Sequence, residues 1–154
     1  VRVMHTVCGK AEAYLDAANL PRPPIETDPS LHDLSVIARS VAHMVDEIDC
    51  ALVVVGTRSG TTARLLSKSR IDVPILSFCP DPRMSRQISM HYGVLSVLCP
   101  LMEDLRELVS FAEARILQHG WAEEGQQILI LPGRDLLPKR NSHAIVLHTL
   151  SQGD

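Results

Sequence analysis

Aromatic residues are scarce in this 154-residue sequence, 3% in all, with one Trp, two Tyr and two Phe. That is too few for the stacking platforms on which single-stranded nucleic acid lies. The formal net charge is -3 and the pI about 6.2, so no global basic field draws the chain to nucleic acid or to an anionic membrane. No apolar run approaches the roughly 18 residues that a membrane-spanning helix needs, and no signal peptide is visible. The four cysteines, Cys8, Cys50, Cys79 and Cys99, are widely spaced and form no Cys-x-x-Cys pair, which argues against a zinc ribbon or a redox couple. They are expected to be buried, reduced thiols of a cytosolic-type protein. None of the seven histidines pairs with another at metal-ligand spacing beside a carboxylate. Ser59 has no Gly-x-Ser-x-Gly elbow around it, and the acidic pairs Asp46-Glu47 and Glu123-Glu124 are the kind that solvated surfaces carry. No catalytic residue and no metal site is expected in this chain.

What is present fits one domain with one core. Apolar residues make up 45% of the sequence and mean hydropathy is +0.09, both ordinary for a folded protein. The chain lacks an initiator Met and opens inside a helical pattern, from which it is expected to be a fragment of a longer protein. Val3, Met4, Val7, Ala11, Tyr14 and Leu15 recur at helical spacing, predicting an amphipathic helix over 1–17. Pro21-Arg22-Pro23-Pro24 breaks it into an extended linker. Asp28-Pro29-Ser30 caps a second helix ending near Ile48, with Leu34, Ile37, Ala38, Val41 and Val45 on one face. Strands follow at 51–56, 73–78, 94–98, 127–131 and 144–150, with helices from 61 to about 70, from 80 to 92, and from 103 to 119. Alternation of strands with helices predicts a parallel sheet covered on both faces, a three-layer α/β/α domain. The last two strands have only a ten-residue loop between them, so the fifth is expected to be an antiparallel edge strand in a mixed five-stranded sheet.

The segment Gly56-Thr57-Arg58-Ser59-Gly60-Thr61-Thr62 stands out. It leaves the carboxyl end of an apolar strand and enters the amino end of a helix, where backbone N–H groups lack partners and the helix dipole favours an anion. Hydroxyls donate to phosphate oxygens and glycine lets the backbone come close. No Gly-Lys-Ser/Thr follows, so this is not a Walker loop. Taken alone, the loop fits a phosphate cradle and a helix cap by Ser59 and Thr61 equally well.

The segments around it carry more. Thr57-Arg58-Ser59-Gly60-Thr61-Thr62-Ala63-Arg64, then Val73-Pro74-Ile75-Leu76, Arg86-Gln87 and His91-Tyr92-Gly93-Val94, follow one another in an order and spacing that resemble the carboxy-terminal domain of pyruvate kinases. The resemblance runs from about residue 1 to residue 150. It implies that residues 1–24 are the end of the last barrel helix and a linker, and that residues 25–154 are the regulatory domain. It implies a cytoplasmic glycolytic enzyme, a homotetramer that transfers a phosphoryl group from phosphoenolpyruvate to ADP. This domain would contact its own barrel and other subunits. Magnesium and potassium belong to the barrel in that family. None of the barrel's catalytic motifs occurs here, so this chain alone is expected to be inactive and free of cofactors.

The resemblance further implies an allosteric site for a phosphorylated effector, a sugar phosphate or a nucleotide. Thr57, Ser59, Gly60 and Thr62, with Thr61 in the same loop, would hold one phosphate, and Arg58 would add positive charge. Arg106 matches a family arginine that meets the second phosphate of a bisphosphate; without that match it is an exposed helix arginine facing Glu103 or Glu113. In the loop 133–140, Arg134, Lys139 and Arg140 are placed to reach a phosphate, or else to keep a solvated hairpin from aggregating. This loop lacks the family's Trp-Pro-Gly-Ser-Gly pattern, and a ligand-stacking tryptophan of some members is replaced near Cys99, which leaves the effector's identity open. Two other readings remain: a domain that serves subunit assembly alone, and a free-standing small-molecule binder.

Overall fold

The run Ala51-Leu52-Val53-Val54-Val55 is apolar on both alternations, so a strand built from it must be covered on both faces. In the computed structural model, which describes residues 2–17, 28–138 and 142–151 (side chains of 15–17 excepted), it forms the central strand β1 (Cys50–Gly56). Strands β2 (Ile75–Cys79) and β4 (Gln127–Leu131) flank β1 in parallel, and β3 (Val94–Leu98) lies parallel to β2 at one edge. At the other edge β5 (Val146–Thr149) runs antiparallel to β4. The order is β3-β2-β1-β4-β5, the mixed sheet expected from the pattern.

Side chains alternate between the faces of a strand, and the core divides accordingly. Val53, Val55, Ile75 and Leu129 pack with Ala38 and Val41 of α2 (His32–Glu47) and with Leu65 and Leu66 of α3 (Thr61–Lys68). On the same face, Cys79 and Ala63 meet Ile88 of α4 (Pro82–Ile88). Leu52, Val54, Leu76, Phe78, Ile128 and Ile130 face Leu108, Ala112 and Ile116 of α5 (Leu105–His119). The amino-terminal helix α1 (Arg2–Ala17) forms as its period predicts, yet Val3, Met4, Val7 and Tyr14 are 60–76% exposed. No described helix is long and apolar enough to cross a membrane. The proline linker at 21–24 lies outside the described residues.

Several element ends differ from the sequence reading, each for a local reason. The start at Asp28 is a 3-10 turn (Pro29–Leu31), with the Asp28 carboxylate accepting from Ser30 N–H, and the α-helix begins only at His32. Helix α3 stops at Lys68 because Arg70 turns to φ 45°, its guanidinium 4.4 Å over the Tyr92 ring. Helix α4 ends at Ile88 rather than Tyr92, whose carbonyl instead accepts from the Ser67 hydroxyl. Cys50 and Cys79 are buried as expected and Cys99 is half-buried, but Cys8 is exposed, since every described side chain of α1 through Tyr14 faces outward.

The last strand is held by a clasp. The Glu113 carboxylate on α5 accepts from Ser151 N–H at 2.7 Å and lies 3.2 Å from His148 Nε2 of β5. Burial alone would push the Glu113 carboxyl up, but the Ser151 N–H and His148 together outweigh it and hold it below the usual glutamate range. A depressed folded-state value means stability that is present above the unfolded value, about 4.3, and lost as pH falls through the folded one. Glu113→Gln is therefore expected to cost about 1–2 kcal/mol at neutral pH. That difference should shrink in urea denaturation as pH is lowered below about 4.

Candidate functional site

From β1 the chain moves outward to β2 and β3, and α5 then returns it to β4 on the opposite side of β1. At such a reversal the loops leaving neighbouring parallel strands diverge, opening a crevice beyond their carboxyl ends. The two loops concerned are 57–60 after β1 and 132–138 after β4. They meet closely: a Cβ on Gly133 would stand 2.9 Å from the Gly56 carbonyl oxygen, so only glycine permits this approach.

The first loop is a tied turn. Thr57 N–H donates to the Phe78 carbonyl at 3.0 Å, which fixes the loop's entry to β2. The Thr57 hydroxyl oxygen, in a residue 8% exposed, accepts from Gly60 N–H at 2.9 Å. Gly60 adopts φ 72° and caps α3 without a capping side chain. The hydroxyls of Ser59 and Thr61 lie 3.1 Å apart and share a hydrogen bond. The result is a hydroxyl cluster above the first turn of α3, whose N–H groups have no carbonyl within the helix to pair with.

These groups line a cleft of about 370 Å3, whose walls include Thr57, Arg58, Ser59, Thr61 and Thr62. Across from them stand Arg134, Asp135 and His143, and an apolar wall is made by Leu31 of the 3-10 turn with Leu34 and Ile37 of α2. A second pocket of about 40 Å3, mostly apolar, is lined by Phe78, Cys99, Met102, Leu108 and Leu136. Thr57, Arg58, Gly133 and Asp135 border both. Between the two runs an ion pair, Arg58 Nε to Asp135 Oδ2 at 3.4 Å, with both side chains about half exposed. Burial pushes the Cys99 thiol up to about 11, and Cys79 adds to the shift, so this thiol is protonated at neutral pH and a poor nucleophile. Among the described residues no three His, Cys, Asp or Glu side chains gather to hold a metal ion. The cleft thus brings hydroxyls, two guanidinium groups and the amino end of α3 to one place.

The family model for the pyruvate kinase alpha/beta domain matches residues 35–147. The chain belongs to that family. It is 29% identical over 136 residues to a pyruvate kinase of Agrobacterium vitis, covering 86% of this chain and 28% of that protein. A pyruvate kinase of Lactococcus lactis is 31% identical over 137 residues, covering 86% of this chain and 26% of its own length. The chain thus spans about a quarter of the length of these relatives. The structure of Cryptosporidium parvum pyruvate kinase in complex with ADP superposes with a TM-score of 0.72 at 20% identity, over 84% of this chain and 25% of that one. At that identity the likeness establishes the fold.

Within this pyruvate kinase domain, six residues singled out from the sequence line one cleft: Thr57, Arg58, Ser59, Thr61, Thr62 and Arg134. Gly60 lies beneath them as the buried pivot of the turn. Arg106 is exposed on the first turn of α5 and borders neither cavity. Lys139 and Arg140 lie outside the described residues. Sequence reasoning missed Asp135, His143 and the Leu31, Leu34 and Ile37 wall. The signal for Asp135 was available in the topology: if β4 neighbours β1, the loops that follow them must face each other.

Proposed function

We propose that this chain is the regulatory domain of a pyruvate kinase and that its polar cleft binds a phosphorylated small-molecule effector, a sugar phosphate or a nucleotide. The observation that carries this reading is the hydroxyl-lined cleft over the amino end of α3, flanked by Arg58 and Arg134. A dianionic phosphate there gains N–H and O–H donors, the helix dipole and a guanidinium fork at one locus. The parent enzyme would transfer phosphoryl from phosphoenolpyruvate to ADP in the cytoplasm as a homotetramer. Effector binding would shift its population toward the active assembly. Magnesium and potassium would serve the barrel. The exposed apolar stripe of α1 favours, alongside this, a surface that packs on the barrel or on another subunit.

Arg106 does not line the cleft, and the donors that do gather at one locus suited to one phosphate. Calorimetry with one sugar monophosphate and one sugar bisphosphate is expected to give affinities within about threefold of each other. Arg58→Glu combined with Ser59→Ala is expected to weaken both by about tenfold or more, the scale of one charge-assisted contact. Failure of the intact chain to bind either ligand, or inorganic phosphate at high concentration, would overturn the effector reading and leave the assembly role.

A further inference from the structure

We propose that the Arg58–Asp135 ion pair is a latch that an arriving anion opens, which makes Asp135 a determinant of effector affinity and the link between the cleft and the loop after β4. The proposal rests on the effector reading above and concerns how that same site is regulated. Three observations carry it. First, Arg58 is the cation nearest the hydroxyl cluster in sequence, and it is turned across the crevice onto a carboxylate of the other loop. Second, that pairing is loose, Nε to Oδ2 at 3.4 Å, where the same guanidinium could offer a phosphate two parallel donors. Third, both partners border both cavities, so the pair forms the partition between the polar cleft and the small apolar pocket.

The consequences follow from charge. Without ligand, Asp135 neutralises Arg58 and keeps it from facing the cleft unpaired. A phosphate seated on the amino end of α3 competes for Arg58 and repels the carboxylate at the same time. Asp135 sits in a short 3-10 turn (Arg134–Leu136) that is pinned on both sides. Gly133 lies against Gly56, and Leu136 packs into the α5 core cluster. The pair can therefore open by a swing of the half-exposed Arg58, by a rotamer change at Asp135 or by a shift of the turn itself. Anion binding is thereby coupled to the Arg58–Asp135 contact, and the coupling is reciprocal: whatever stabilises the closed latch weakens the anion.

The test is a double-mutant cycle on the intact chain, with inorganic phosphate and a sugar monophosphate as probes, read by calorimetry at low and high salt. Asp135→Asn keeps the shape of the side chain and removes its charge. It is expected to tighten both probes by about two- to fivefold, the strength of an exposed ion pair. Arg58→Gln is expected to weaken them, and in the Arg58→Gln background the Asp135→Asn gain should vanish. If Asp135→Asn tightens binding equally with and without Arg58, the carboxylate acts by bulk repulsion and the latch is refuted. If Asp135→Asn leaves affinity unchanged or weakens it while the wild type binds phosphate, the latch is refuted and the effector site stands. If none of the proteins binds either probe, both the latch and the effector reading fall.

Discussion

Gly60→Ala is expected to destabilise the domain by about 2–5 kcal/mol and to lower its melting temperature by roughly 5–15 °C, on a scale of about 2–4 °C per kcal/mol for a domain of this size. Two costs add. Gly60 sits at φ 72°, a left-handed conformation that costs a residue with a Cβ roughly 1–2 kcal/mol. The new methyl would also stand 2.7 Å from Ile88 Cγ1. Ile88 is 1% exposed and wedged between Ala63 and Cys79, so it has no free space to retreat into. Overpacking of this kind costs roughly 1–3 kcal/mol. Thermal melts of the two proteins decide the matter: a shift under about 2 °C would mean that the turn had relaxed to negative φ, breaking the Gly60 N–H bond to Thr57. In that relaxed case the hydroxyl cluster loses its arrangement and phosphate affinity should fall, whereas a destabilised variant that keeps the turn should keep its affinity.

How far the sequence revealed this molecule depended on whether the deciding physics was local. Strands β3 and β4 begin and end where the sequence places them. Gly93 ends the turn before β3 and Pro100 follows soon after it, while Gly125, at φ 85°, sets up β4. Strand β2 was expected to start at Val73 and starts at Ile75, because Pro74 has no N–H for the ladder and contributes only its carbonyl, to Val53. The ends of α3 and α4 are set by contacts between distant segments, Arg70 on Tyr92 and Ser67 on the Tyr92 carbonyl, which no window of sequence contains. The same division holds at the site. Thr57 to Thr62 were legible because strand, loop and helix are consecutive. Asp135 was not, because it reaches Arg58 only through the adjacency of β1 and β4. A loop whose basic residues drew attention contributes, in the structure, Asp135 as well as Arg134.

Phe78→Ala is expected to be the most damaging single truncation in the core, about 3–5 kcal/mol, and to leave the cradle intact in whatever protein remains folded. The ring is 1% exposed, larger than any other fully buried side chain in the described residues, and meets Phe111 edge-on with centroids 5.6 Å apart. Its loss removes that aromatic pair, worth about 0.5–1.5 kcal/mol beyond burial, and leaves a void beside the existing 40 Å3 pocket. That pocket is partly open, so water can enter the enlarged space, and the cost is expected toward the lower half of the range. Phe78→Leu, which keeps most of the volume, should cost less than about 1.5 kcal/mol. The site should respond differently. What ties Thr57 to β2 is the Phe78 carbonyl, a backbone atom that the substitution retains. Phosphate affinity measured well below the lowered melting temperature should therefore stay within about twofold of the wild type. A large loss of affinity in a variant that is demonstrably folded would show that the aromatic core, and not the backbone tie, holds the cradle in shape.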